Sequence, residues 1–440
     1  GEYKGVSLAE TGLEKLRIFI NGQWHHTLKV YELLFKHSIG IAIDNGDEGI
    51  RYLSKNQLKA VGFDSNEAVV PYSQRSSAGY RLLVENFTFP EKFRFFELEG
   101  ILSSLPKQSN KCSIYIYLDT ESAELEKQVD KDMFLLGCTP IINLFEQELE
   151  PIRPEISEYE YQLTPRYMDS EISEVIGISE VIAFDHKGNK QIVSPFYGQT
   201  HPKYHGHDDL FWHIRRETAS WAGGYVESGT ETFLSLVDAT FENSAMEYGD
   251  GNSVLTVRAN CSNRNLPASM PFGDDELGLL MPERGDVIKK IRCLTPFTHA
   301  VRPILADATR WQLVNHLTLD TFSGEDACNK LKEVLRLYDF RASPQTKGMI
   351  DNIYRVVIEP STARVIQKGK VSFATGSEIE ITFANDDFSG SGMFFFASIL
   401  DHFFAQFAAI NSYTRLSLRL KEQEQIYYQW PARVGDCPLL

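Results

Sequence analysis

The chain has 440 residues, 42% of them hydrophobic and 12% aromatic, enough for a sizeable core and outside the composition of an intrinsically disordered chain. Lys plus Arg number 44 against 60 Asp plus Glu, and the resulting net charge of -16 repels phosphate backbones and anionic lipid faces, so nucleic acid is not an expected partner. The length suggests about three domains.

Near the start, 16–20 reads as a strand running into the Asn21-Gly22 turn, and Leu28, Tyr31, Leu34 and Phe35 recur at helical spacing behind Thr27, a candidate N-cap. An aromatic block follows, broken by Pro90; beyond it 93–98 reads as a strand with Phe93 and Phe95 on one core-directed face and Phe96 on the other. The β-branched and aromatic run 113–118 is a further strand, and with 137–145 it closes a first α+β domain over 1–148. Two prolines in an acidic setting mark 149–156 as a semi-rigid crossover.

From 157 to 260 short strands at 175–182, 192–193, 233–237 and 253–257 alternate with Gly, Asn and Asp turn signals, the rhythm of a sandwich or barrel. Little periodicity survives in 261–302, which reads as a long connection. The last domain, 303–440, opens with a helix over 307–317 whose core face includes Trp311 and Val314. A second helix starts at Ser323 with Asp326 completing a capping-box-like start, and buries Ala327, Leu331, Val334, Leu335 and Tyr338. Strands at 353–358, 363–366, 369–373 and 379–383 form a C-terminal sheet. The whole is therefore expected to be a multidomain, β-rich α+β protein.

A long Phe-rich helix, from Met393 to about Asn411, should pack on that sheet. Phe396, Leu400, Phe403 and Phe407 recur at core spacing; Ser398, Asp401, His402 and Gln406 fall on one side, bordered by Phe394 and Phe404. Those two phenylalanines are the candidates for contact with a partner or a second copy of the chain. Trp430 and Arg433, after a polar stretch, read as a tail docked on a partner surface. Polar residues inside the helix cut its apolar run well short of the ~20 residues a membrane span needs, so membrane insertion is not expected.

Catalytic signatures are sparse. His201, His205, His207, Asp208, Asp209 and His213 lie close in sequence, but without H-E-x-x-H spacing and among turn-forming residues; a metal-dependent hydrolase centred there is an alternative reading, and a ligand-binding β module on the strands between Ser157 and Arg258 another. Asp44-Asn-Gly-Asp-Glu-Gly49 reads as a turn and not as a calcium loop. Walker A, strand-linked G-x-G-x-x-G and G-x-S-x-G patterns are missing, so no catalytic residue, metal or cofactor is expected. The six cysteines, Cys112, Cys138, Cys261, Cys293, Cys328 and Cys437, form no C-x-x-C pair and fit a reducing cytosol. The first residues, Gly1-Glu-Tyr, suggest a trimmed fragment without a secretion signal.

Several longer motifs then run in order along the chain: Gly79-Tyr-Arg-Leu-Leu83 with Phe89-Pro-Glu-Lys-Phe93, Gly137-Cys-Thr-Pro-Ile-Ile-Asn-Leu-Phe145, Trp212-His-Ile-Arg-Arg216, Leu234-Ser-Leu-Val-Asp238, Cys261-Ser-Asn-Arg-Asn-Leu-Pro267, Leu331-Lys-Glu-Val-Leu-Arg-Leu-Tyr-Asp-Phe340, Ile410-Asn-Ser-Tyr413, and Trp430-Pro-Ala-Arg433 with Pro438-Leu-Leu440. Together they resemble the TssF (ImpG/VasA) family of baseplate subunits from bacterial type VI secretion systems, from about Leu16 to the last residue. The family's further N-terminal region has no counterpart in this resemblance. What it implies is a non-enzymatic wedge subunit: two TssF copies joined to one TssG, recruiting TssK and meeting TssE, the VgrG spike and sheath proteins. The assembly would be cytoplasmic and docked at the inner membrane of a Gram-negative bacterium.

Overall fold

The computed structural model describes residues 14–44, 49–72, 78–101, 112–155, 157–168, 172–184, 188–197, 210–219, 229–238, 254–272, 290–303, 324, 326–367, 370–384, 392–408 and 412–434. The chain divides into two compact units, one made of Gly1–Ile141 with Val301–Leu440 and the other of Ile142–Ala300.

Three sheets build the first unit. An antiparallel four-stranded sheet has the order Leu58–Ala60, Phe95–Glu99, Lys15–Ile20, Phe134–Leu136, and a three-stranded one the order Ile50–Leu53, Ser38–Asp44, Ser113–Leu118. In the five-stranded sheet Ile353–Gln367 and Lys370–Phe383 form one long hairpin, where four short strands were expected; Ser412–Leu420 follows, pairing with both Ile426–Gln429 and Arg433–Val434. Lys370–Phe383 and Ser412–Leu420 are parallel, and parallel neighbours need a crossover. The central helix, Gly392–Ala405, lies in that crossover.

This helix decides the architecture. From Met393 to Asp401 every residue is buried, as are Phe403, Phe404 and Ala405, and a helix apolar nearly all round needs neighbours on every side. The Ser412–Leu420 strand covers one side, while the helices Trp24–Lys36 and Ala78–Thr88 supply the others. The stretches 1–148 and 303–440, expected as separate domains, therefore share a core in which Leu28, Tyr31, Leu83 and Phe87 join Leu331, Ile381, Phe396 and Leu418. At Gly79 a Cβ would stand 3.2 Å from the Phe403 carbonyl oxygen, so glycine permits the close crossing of Ala78–Thr88 with the central helix.

Several local expectations change. The central helix ends at Ala405 and not near Asn411, its last turn tightened by bonds from the Gln406, Phe407 and Ala408 amides to the carbonyls three residues back. Phe93 closes a 3-10 turn, Pro90–Phe93, and the strand begins at Phe95, so Phe93 and Phe95 do not share a strand face; both are buried, as is Phe96. Thr27 is inside its helix, where its hydroxyl donates to the Trp24 carbonyl at 2.8 Å. The helix Ala327–Tyr338 buries Ala327, Leu331, Val334, Leu335 and Tyr338, as its spacing indicated, but Asp326 makes no side-chain cap and Ser323 lies outside the described residues. Trp311 and Val314 also lie outside them.

The second unit is a seven-stranded sheet ordered Phe145–Glu148, Val254–Ser262, Glu174–Phe184, Lys190–Pro195, Leu210–Thr218, Thr230–Asp238, Tyr161–Gln162. Its ends approach each other: Leu149 bridges to Pro165, and the Glu150 amide donates to the Thr164 carbonyl at 2.9 Å, giving a barrel-like closure. The 149–156 stretch, expected as a crossover, contributes Leu149 and Ile152 to the interior.

Candidate functional site

The expected partner-facing residues Phe394, Phe404, Trp430 and Arg433 surround the central helix. Trp430 is placed by the strand that precedes it and by its own amide, which donates to the Leu416 carbonyl at 2.9 Å. Its ring stacks on Phe394 at 5.4 Å and 23°, and Tyr428 meets both edge-on, at 5.1 Å from Phe394 and 4.8 Å from Trp430. Phe394 and Phe404 are each 1% exposed and Trp430 6%. These three side chains belong to the chain's own core, which corrects their assignment to a partner surface. On a helix enclosed on all sides the border of the polar stripe is interior too.

The polar stripe is satisfied from within. Ser398 donates to the Phe394 carbonyl at 2.9 Å. Asp401 accepts from the Arg433 guanidinium, which lies half-buried on the last strand, so Arg433 closes an internal pair. Burial pushes the Asp401 carboxyl up to about 6, with the Arg433 charge acting against it. His402 stacks on Phe63 with ring centres 3.8 Å apart and planes 13° off parallel, and burial first, then Arg433, hold its imidazole well below its ordinary range. It is neutral at neutral pH.

The last strands are tied to the first helix as well. Tyr427 donates to Glu32, and the Lys36 ammonium sits 3.2 Å from the centre of the Tyr427 ring. Burial raises the Glu32 carboxyl, opposed by Tyr427 and Lys36. The expected core residues Phe396, Leu400 and Phe403 are fully buried; Phe407 is partly buried, 5.5 Å edge-on to Tyr80.

Sequence reasoning missed a second enclosed cluster. Glu85, on the helix Ala78–Thr88, accepts from Lys92, from Arg81 at 3.3 Å, and from the Val69 and Val70 amides at 2.8 and 3.3 Å. Burial lowers the Lys92 ammonium, with Glu85 opposing. The i, i+4 spacing of Arg81 and Glu85 was the available signal, though such a pair ordinarily lies on a solvated face.

In the second unit Glu174 accepts from the Thr230 amide at 2.9 Å and from its hydroxyl at 2.5 Å, and Arg264, at φ 47, donates to the Ser173 carbonyl at 2.8 Å. These residues line a small polar recess with Thr232 and Gln162. Of the histidine segment only His213 is described, on the strand Leu210–Thr218 with its ring 5.7 Å from Tyr197. His201, His205, His207, Asp208 and Asp209 lie outside the described residues; among those described, no three His, Cys, Asp or Glu residues gather as metal ligands. No helix of the described residues is long and apolar enough to cross a membrane.

A strand-rich α+β chain with two cores, its termini folded onto one aromatic helix, defines a large assembly-scale scaffold. Its family model is "Type VI secretion system, TssF", matched over residues 2–437, and the chain belongs to that family. It is 28% identical over 452 residues to the type VI secretion system component TssF1 of Pseudomonas aeruginosa, an alignment covering 99% of this chain and 71% of that one. Its fold is similar to a chain of the type VI TssK-TssF-TssG baseplate subcomplex, with a TM-score of 0.73 and 22% identity over 97% of this chain and 75% of that one. A chain of a type VI baseplate complex gives a TM-score of 0.59 at 19% identity, over 94% and 68%.

Proposed function

We propose that this chain is a structural wedge subunit of a type VI secretion baseplate, acting by assembly and not by catalysis, with TssG- and TssK-type subunits as its direct partners. The observation that carries the reading is the family match over 2–437 together with fold similarity across 97% of the chain to a protein from a TssK-TssF-TssG subcomplex. A second TssF copy is the further partner, and TssE, VgrG and sheath proteins are the neighbours the finished platform would meet. Such a platform stands in the cytoplasm against the inner membrane. Co-expression with the TssG- and TssK-type proteins of the same secretion system, followed by mass measurement of the purified species, tests it. A stable complex is expected, its mass giving the number of copies. Separate elution of all three proteins would overturn the reading.

A further inference from the structure

The three-stranded sheet of the first unit has one face turned to the core, where Ile41 and Ile43 are buried and Leu53, Ile114 and Ile116 pack against them. Strand alternation sends the next residues the other way. Ile50, Tyr52, Tyr115 and Tyr117 are 52%, 71%, 45% and 40% exposed, so the outer face carries large side chains that the chain does not cover. The register explains their arrangement. Ala42 on the middle strand lies between Tyr52 and Tyr115, and Gly40 lies beside Tyr117. Small residues in the middle let the Tyr52 and Tyr117 rings close over that strand, their centres 6.2 Å apart and planes 27° off parallel, and Ala42 is fully buried beneath. The result is a flat aromatic face.

Its size and charge limit what can lie on it. At ~3.4 Å per residue and ~4.8 Å between strands, six residues by three strands make a face of about 300 Å². A stable pairing of two globular copies needs about 800 Å² on each side, so a second copy is too large a partner for this face alone. A single extended segment matches it. Asp44 is the one charged residue at the outer register positions, opposite Ile50 and Ser113, and it already has a partner within the chain. A charged segment would lose hydration here without gaining a counter-charge.

We propose that this tyrosine face docks one short, extended, uncharged segment of a neighbouring baseplate subunit. The proposal rests on the reading of the chain as a baseplate subunit. Tyrosine suits the task, since it presents a large rigid apolar body with a hydroxyl that bonds a passing backbone. The experiment reconstitutes the chain with its TssG- and TssK-type partners, comparing wild type with Tyr52→Ser/Tyr117→Ser and carrying a photo-crosslinking phenylalanine in place of Tyr52. The double variant should melt as wild type does yet bind the partners at least ten-fold more weakly. The crosslink should fall within one partner segment that carries no charged residue. Undiminished binding by the double variant, or a crosslink only to a second copy or to a charged segment, overturns the proposal. If wild type binds neither partner, the baseplate reading itself fails; if wild type binds and the variant binds equally, only the docking face does.

Discussion

The two units fill their cores with different side chains. In the first, the largest fully buried residues are rings, among them Tyr31, Phe87, Phe93, Phe96, Phe394, Phe396, Phe403 and Phe404. The buried cluster of the second consists of Leu, Ile, Val, Ala and Cys. Geometry accounts for the difference. A helix flanked by helices and a sheet stands ~8–10 Å from each neighbour, a gap that rings bridge, whereas the interior of a small closing sheet is filled by alternate residues of its strands. The aromatic core also joins distant parts of the chain, while the aliphatic one is assembled from a continuous stretch. One helix thus holds the first unit together, and no single element does so in the second.

The most severe test places charge at that helix. Phe404→Asp buries a carboxylate without a partner at a position 1% exposed, and the first unit should fail to fold, just as with Phe403→Asp. Circular dichroism and gel filtration would show it. A folded Phe404→Asp protein that merely loses a binding partner would mean that this side of the helix is surface. Next in size, Phe396→Ala should cost ~3–5 kcal/mol and Leu255→Ala ~2–5 kcal/mol, each lowering the melting transition of its own unit. If both variants shift one common transition equally, the two cores do not melt separately and the contrast between them is only compositional.

How much of this was legible depends on how local each feature is. The face of Ala327–Tyr338 followed from spacing alone, because one helix and its period suffice to fix it. The strict alternation of Ile379, Ile381 and Phe383 likewise gave a strand with one buried face. What stayed hidden was whatever needed a second, distant segment. Phe394 and Phe404 border polar residues in sequence, and only the helices of the first 90 residues and the returning strand at 426–429 make that border interior. Glu85 and Lys92 could not be paired from sequence because a 3-10 turn, not a continued helix, brings them together. The tyrosine face was hidden for a related reason. Strand 113–118 was recognised, but not the neighbours that set its outward side.

A smaller effect probes the polar stripe of the aromatic core. The Asp401 carboxyl is raised from 3.8 to about 6, so the folded chain holds this proton more tightly than the unfolded one. The stability linked to it is fully present below about pH 4 and is lost as pH rises through about 6, an amplitude on the order of 3 kcal/mol. Urea denaturation across pH 4–8 should therefore give wild type a downward slope in that window relative to Asp401→Asn. Parallel curves would mean that Arg433 offsets the burial completely.

The smallest expected effect concerns Lys92, where the same core encloses a complete ion pair. Lys92→Met keeps the length of the stem and removes the charge that Glu85 faces. Stripping one member from a buried pair ordinarily costs about 3–5 kcal/mol, since the other is left uncompensated. Glu85 is not abandoned here: Arg81 and the Val69 and Val70 amides still reach it, so the cost should fall to about 2 kcal/mol, near that of one charge-assisted bond. Arg81→Met should behave differently, because its guanidinium also donates to the Phe63 carbonyl at 2.9 Å and ties the aromatic block to the helix. Denaturation of Lys92→Met, Glu85→Gln and the double variant gives the coupling directly. A double variant costing less than the sum of the singles is expected; strict additivity would mean that Lys92 and Glu85 do not act as a pair, and that the rings alone hold this side of the first unit closed.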